Sequence, residues 1–175
     1  MDRPMSALHF AVMSLLFKIR DLIRPPLPKL MEIGIKPGAR VLDYGCGPGT
    51  FSIAAAKLIG ESGSVQAVDI LPAAVERVQA TAAREGLKNV EAVRADTPAE
   101  LEAESFDAII LYDIFHHFSD PDGILRELHR VLKADGTLSF SDHHMNEDAI
   151  MTGVTKGDLF ALSKKGARTY SFKKA

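Results

Sequence analysis

The chain has 175 residues, 46% of them apolar and 25% charged, with a formal net charge of −2. That length supports one well-formed core and is short for two, and the charge supplies no polycationic surface for nucleic acid. The single cysteine, Cys46, excludes an internal disulfide framework and a cysteine-only metal cage, and it fits a reducing cytoplasm.

Residues 5–24 carry apolar side chains around most of a helix, with charges only toward its end at Lys18, Arg20, Asp21 and Arg24. This order is the reverse of a secretory signal. No run of about eighteen uncharged apolar residues follows, so no membrane span is expected and a cytoplasmic location is. Such a helix needs a cover, either as a lid over a ligand mouth, by packing on the domain flank, or against a membrane surface or a second copy. The oligomeric state stays open. Arg24-Pro25-Pro26-Leu27-Pro28 reads as a stiff extended linker. The chain thus divides into a lid and linker, residues 1–35, and a main domain, residues 36–175.

Leu30, Met31 and Ile33 suggest a short helix, and Lys36-Pro37-Gly38 a turn into a first strand at 40–44. That strand carries Asp43 and runs into Gly45-Cys46-Gly47-Pro48-Gly49, then a helix from about 50 to 59. Glycines at alternate positions let the chain turn sharply and let a ligand lie on bare backbone. The helix start adds unpaired N–H groups and a partial positive charge that favour an anionic group. A second strand, 64–68, ends at Asp69, placed to accept both hydroxyls of a ribose. Together these read as a site for an adenosine-type cofactor.

The rhythm continues with a helix at 72–85, opened by Pro72 and closed by Gly86, and a strand at 90–95 leading to Asp96. Phe106-Asp107-Ala108-Ile109-Ile110-Leu111-Tyr112 is a nearly continuous apolar run, as expected of a strand covered on both faces. A helix at 121–133 buries Ile124, Leu125, Leu128, Val131 and Leu132 along one stripe. Asp135-Gly136 then turns into a strand at 137–141. A polar helix near 146–155 and a terminal hairpin, 159–163 with 168–172, complete the chain. Alternating strands and helices mean a doubly wound α/β fold, with ligands beyond the carboxyl ends of the strands.

Beyond residue 35 the sequence resembles the class I S-adenosylmethionine-dependent methyltransferases, in particular the small-molecule and quinone subgroup. Asp43-Tyr44-Gly45-Cys46-Gly47-Pro48-Gly49 is similar to their first motif, with the acid two residues before the first glycine. Leu125 to Gly136 is similar to the stretch before strand 5, with Asp135-Gly136 in place of the usual glycine pair. The resemblance implies a Rossmann-like, seven-stranded, mostly parallel sheet of order 3-2-1-4-5-7-6 whose last strand is antiparallel. It implies S-adenosylmethionine as cofactor and S-adenosylhomocysteine as product. Gly45, Gly47 and Gly49 would leave room for the methionine half, and Asp43 would steady its ammonium. Asp69 would take the ribose and Ile70 or Leu71 the adenine face, with Asp96 and Thr97 at the adenine edge. Tyr112 would face the ammonium through its carbonyl, and its ring or that of Phe115 would wall the sulfonium.

Methyl transfer from a sulfonium needs alignment and dryness, and a base only where the nucleophile keeps a proton. Asp113, His116 and His117 follow the fourth strand, and Asp142, His143 and His144 the fifth, so both groups are able to face one pocket. Three readings stand. The histidines are structural; or His116 or His143, with Asp113, acts as base or orients the acceptor; or imidazoles and carboxylates hold a divalent metal, which is not the favoured assignment. His129 reads as surface, Cys46 as a small apolar filler, and the basic tail Lys164, Lys165, Arg168, Lys173 and Lys174 as a solvated edge. The function expected is methyl transfer to a small acceptor, hydrophobic if the apolar N-terminal helix shapes its pocket. A non-catalytic module that binds the same cofactor is the alternative.

Overall fold

The computed structural model describes residues 25–95 and 101–175. The expected lid helix at 5–24, and Asp96 with Thr97, lie outside the described residues. Seven strands form one sheet: β1 (Arg40–Tyr44), β2 (Ser64–Asp69), β3 (Val90–Arg94), β4 (Phe106–Tyr112), β5 (Leu132–Ser141), β6 (Phe160–Lys165) and β7 (Tyr170–Lys174). Their order is β3-β2-β1-β4-β5-β7-β6, with β7 antiparallel to β5 and β6 and the other pairings parallel. This is the fold class and order that the sequence implied.

Successive residues of the central strands face opposite layers, so both faces must be apolar. Leu42, Ile109, Leu111 and Leu138 enter one core with Phe106, Phe115, Leu128, Phe140, Phe160 and Phe172. Val41, Ala108, Ile110 and Tyr112 enter the other with Leu30, Ala55 and Ile59. The helices are α1 (Leu27–Ile33), α2 (Thr50–Ile59), α3 (Pro72–Arg84), α4 (Pro121–Val131) and α5 (Glu147–Thr155). Asp120 caps α4 by accepting from the Gly123 N–H, and Asn146 caps α5 by accepting from the Ala149 N–H.

Three expectations are corrected. The expected extended linker is already helical at Pro26, which has φ −69° and ψ −29° and caps α1, and Pro28 falls in the first turn, where its missing N–H costs nothing. Helix α4 stops at Val131, and β5 begins at Leu132 instead of after the Asp135-Gly136 turn. Phe106 pairs with Leu132 and Ala108 with Thr137, so residues 133–136 bulge out of the ladder. A Cβ at Gly136 would come within 2.5 Å of Leu132, which is why glycine sits in the bulge. The hairpin strands also run one to two residues later than the pattern suggested. Lys165 pairs with Glu147 and Lys174 with Glu104, while Lys173 donates to the Asp135 carbonyl; much of the basic tail ties the sheet edge down.

Candidate functional site

The turn after β1 is built by backbone. The N–H groups of Gly45 and Cys46 both donate to the Val68 carbonyl, at 2.8 and 3.0 Å, which fastens the turn to the end of β2. Gly45, Gly47 and Gly49 all have positive φ, the left-handed region that side chains disfavour. Their surroundings differ. A Cβ on Gly45 would run into Ile114 and one on Gly49 into Val78, whereas one on Gly47 would meet nothing within 4 Å. The outer two glycines serve packing; Gly47 leaves the surface open for a ligand.

Asp69, at the end of β2, accepts from the Gly47 N–H at 2.8 Å and from the Leu71 N–H at 2.9 Å. These bonds aim the carboxylate, each oxygen keeps a further lone pair, and burial raises its pKa. Leu71 is buried against Ala74, with Ile70 and Ala73 packed beside them. Beneath the turn, Asp43 is buried and accepts from Ser52 Oγ at 2.5 Å. Burial pushes its pKa up to about 7, with the nearby Asp69 charge adding to the effect and the Ser52 bond opposing it. Burial also pushes the Cys46 thiol up, as suits a filler.

Open backbone at Gly47, an oriented carboxylate at Asp69 and a helix start at Thr50 suit a nucleoside bearing a charged amino-acid tail. A buried acid that is half neutral near pH 7 suits a cationic ligand group, which would restore its charge.

At the ends of β4 and β5 the histidines and aspartates cross-pair. Asp142 accepts from His116 twice, from its backbone N–H at 3.3 Å and from ring Nδ1 at 2.7 Å. Asp113 does the same for His143, at 3.1 Å from the backbone N–H and 2.9 Å at ring Nδ1. Each loop's acid thus fixes the other loop's imidazole, with Nδ1–H donating and Nε2 left to accept. Asp113 adopts φ 55°, an uncommon conformation for a residue with a side chain. Burial works against ionised Asp142, but the His116 ring and two backbone N–H groups outweigh it and hold its pKa down. The rings of His117, His116, His144 and His143 form a row with centroid spacings of 4.0, 4.3 and 3.9 Å. Burial, and then the neighbouring His116, lower the pKa of His117. Ligand atoms of Asp113, Asp142 and His143 lie within 4.8 Å of one another, a donor set that a divalent ion accepts.

Beside this cluster lies a cavity of about 550 Å³ lined by Pro25, Lys29, Phe51, Asp113, Ser141, His143 and Arg168. Lys29 donates to Ser141 Oγ at 2.9 Å and lies 4.8 Å from the Tyr112 ring centroid. The Tyr112 ring packs edge-on against Phe51, and its hydroxyl shares a 2.7 Å bond with Ser139. Phe115 is buried edge-on to Phe140 and Phe118, inside the core and away from this cavity. His129, expected at the surface, is half-buried edge-on to Phe160.

The structure therefore gathers His143 and Asp113 at the cavity and leaves His116, paired with Asp142, off its lining. Lys29, Phe51, Ser141 and Arg168 escaped the sequence reading. Lys29 sits inside a proline-rich stretch, and Arg168 was absorbed into a basic run. The signal for Arg168 was its place in Gly166-Ala167-Arg168-Thr169, the turn between two short strands.

An open glycine turn and a carboxylate at the ends of adjacent parallel strands define a nucleoside-binding α/β domain. The chain belongs to the methyltransferase domain family, which its residues 35–173 match, and its fold is that of the class I S-adenosylmethionine-dependent enzymes. It is 36% identical over 138 residues to a ubiquinone biosynthesis O-methyltransferase of Xanthomonas campestris pv. campestris, covering 77% of this chain and 56% of that protein. It is 29% identical over 140 residues to the enzyme of that name from Neisseria meningitidis, covering 78% and 57%. The chain thus spans little more than half the length of these curated relatives. Among solved structures, a SAM-dependent methyltransferase from Aquifex aeolicus superposes with a TM-score of 0.75 at 26% identity, covering 90% of this chain and 96% of that one. A Methanococcus maripaludis protein superposes with a TM-score of 0.76 at 18% identity, covering 99% and 96%, which concerns the fold alone. Among the described residues no helix is long and apolar enough to cross a membrane.

Proposed function

We propose that the chain is an enzyme that methylates a small acceptor with S-adenosylmethionine. The cofactor supplies an activated methyl group and departs as S-adenosylhomocysteine. Gly47 clears its path, with Gly45 and Gly49 packing the turn that presents it, Asp43 balances its ammonium with the Tyr112 carbonyl, Asp69 holds its ribose, and Ile70 or Leu71 packs on its adenine. Asp96 and Thr97 take the adenine edge. His143, oriented by Asp113, accepts the acceptor's proton at Nε2, while His116 with Asp142 keeps the facing loop in register. The observation supporting this reading is that the cavity carrying the oriented imidazole is lined by Phe51, two residues after Gly49, and by Asp113, next to the Ile114 that packs on Gly45.

The decisive experiment incubates the protein with methyl-labelled S-adenosylmethionine and a panel of hydroxylated, amino and thiol acceptors, and measures S-adenosylhomocysteine. Release that depends on an acceptor supports the enzyme. Tight cofactor binding with no turnover across the panel supports a non-catalytic binding module instead. A second reading follows from the close approach of Asp113, Asp142 and His143, namely a divalent ion that holds an acceptor oxygen. Near-stoichiometric metal in protein purified without chelator would favour it, and metal-free protein with full activity would remove it.

A further inference from the structure

The cavity beside His143 is lined by two cations, Lys29 and Arg168, and the elements that carry them are tied together by one carboxylate. Glu32, at the end of α1, accepts from the Arg168 N–H at 3.1 Å, the Thr169 N–H at 3.0 Å and Thr169 Oγ1 at 2.7 Å. The Gly166 N–H donates to the Thr169 carbonyl at 2.8 Å, closing the β6–β7 turn, and a Cβ on Gly166 would collide with the Glu32 carboxylate. Partial burial opposes ionised Glu32, but the bonds from Thr169, Arg168 and Ala167 outweigh it and keep its pKa low. Glu32 therefore locks α1, which carries Lys29, to the turn that carries Arg168. Both cations line the cavity that Asp113 and His143 also line.

The Arg168 guanidinium has no hydrogen-bond or ion-pair partner among the described residues, although its backbone is pinned. A planar fork of donors held at a cavity rim suits a carboxylate, which it binds through two parallel bonds. Phe51 and Pro25 add apolar surface to the same lining.

From this arrangement we propose that the acceptor is a small organic acid. Its carboxylate is held by Arg168 and Lys29, and its methyl-accepting atom is turned toward His143. Glu32 is a positioning residue for both cations. The inference rests on the methyltransferase reading and narrows its substrate class. It adds an anionic end to the small, hydrophobic acceptor expected if the N-terminal helix shapes the pocket.

The test uses protein saturated with S-adenosylhomocysteine and calorimetry of matched pairs, hydroxybenzoates against the corresponding hydroxybenzamides and aliphatic hydroxy acids against their amides. The acids should bind at least ~10-fold more tightly than the amides, the effect of one well-formed charged contact. Arg168→Gln and Lys29→Gln should each remove most of that preference while S-adenosylhomocysteine affinity stays unchanged. Glu32→Ala should weaken acid binding with both cations still present, and Glu32→Gln, which keeps an acceptor oxygen, should restore part of it. Acids and amides that bind equally, or an acid preference that survives Arg168→Gln, would overturn the inference. Failure of the parent protein to bind S-adenosylhomocysteine would strike the methyltransferase reading itself, and this inference with it.

Discussion

The glycine turn after β1 and the histidine loops after β4 and β5 lie at the same carboxyl end of the parallel strands, but they are held by different means. The turn is backbone work: positive φ at three glycines, two N–H groups on the Val68 carbonyl, and a carboxylate that braces Gly47. The loops are side-chain work, in which residues about thirty apart in sequence fix each other's rings. A site built from backbone tolerates variation in most neighbouring side chains, whereas a site built from reciprocal pairs depends on each member. The comparison suggests that the first half of that end grips a shared cofactor and the second half adapts to a particular acceptor.

Substitutions at the two halves should separate binding from turnover. The largest effect is expected at His143. His143→Ala should lower kcat by ~10²–10⁴-fold, the usual contribution of a positioned general base, with cofactor affinity unchanged in calorimetry. An unchanged kcat would place the base elsewhere. Next is Asp69→Ala, which should weaken S-adenosylhomocysteine binding by ~10–100-fold through loss of charge-assisted bonds to the ribose. The glycine turn loses its brace in that variant as well, so circular dichroism should accompany the binding measurement.

The smallest and most diagnostic effect concerns pH. Asp43 has a pKa of about 7 instead of 3.8, so in the empty protein it is largely protonated below neutrality. If the ammonium of the cofactor requires the charged form, affinity should fall by up to ~10-fold for each pH unit below 7. Asp43→Asn should flatten that slope. The same raised pKa strengthens folding most below the ordinary carboxylate value, and that contribution is lost as pH rises toward 7. A slope identical in Asp43→Asn and parent would move the titrating group to another residue.

The same contrast explains what could be read in advance. The glycine turn and Asp69 were legible because spacing alone carries them: an acid, alternate glycines, then a second acid at the end of the next strand; the strand order came only through the family resemblance. Asp113, His116, Asp142 and His143 were legible as a cluster, but not as crossed pairs, since nothing within either loop says which acid faces which ring. The bulge in β5 was missed because Asp135-Gly136 has the composition of a turn between elements as well as of a loop within one. Arg168 was missed because its place at the cavity depends on Glu32, 136 positions earlier. No window of local sequence contains both.

That long-range tie also bears on the order of assembly. The strands that carry the glycine turn and Asp69 finish within the first half of the chain, while the lining that includes Lys29 and Arg168 is complete only after residue 169 docks on α1. A nascent chain stopped short of β6 and β7 would already contain the glycine turn and Asp69, while the cavity beside His143 would still lack its Arg168 side. Fraying of β7 would therefore loosen the Arg168 side of the proposed acceptor cavity while leaving the glycine turn and Asp69 in place.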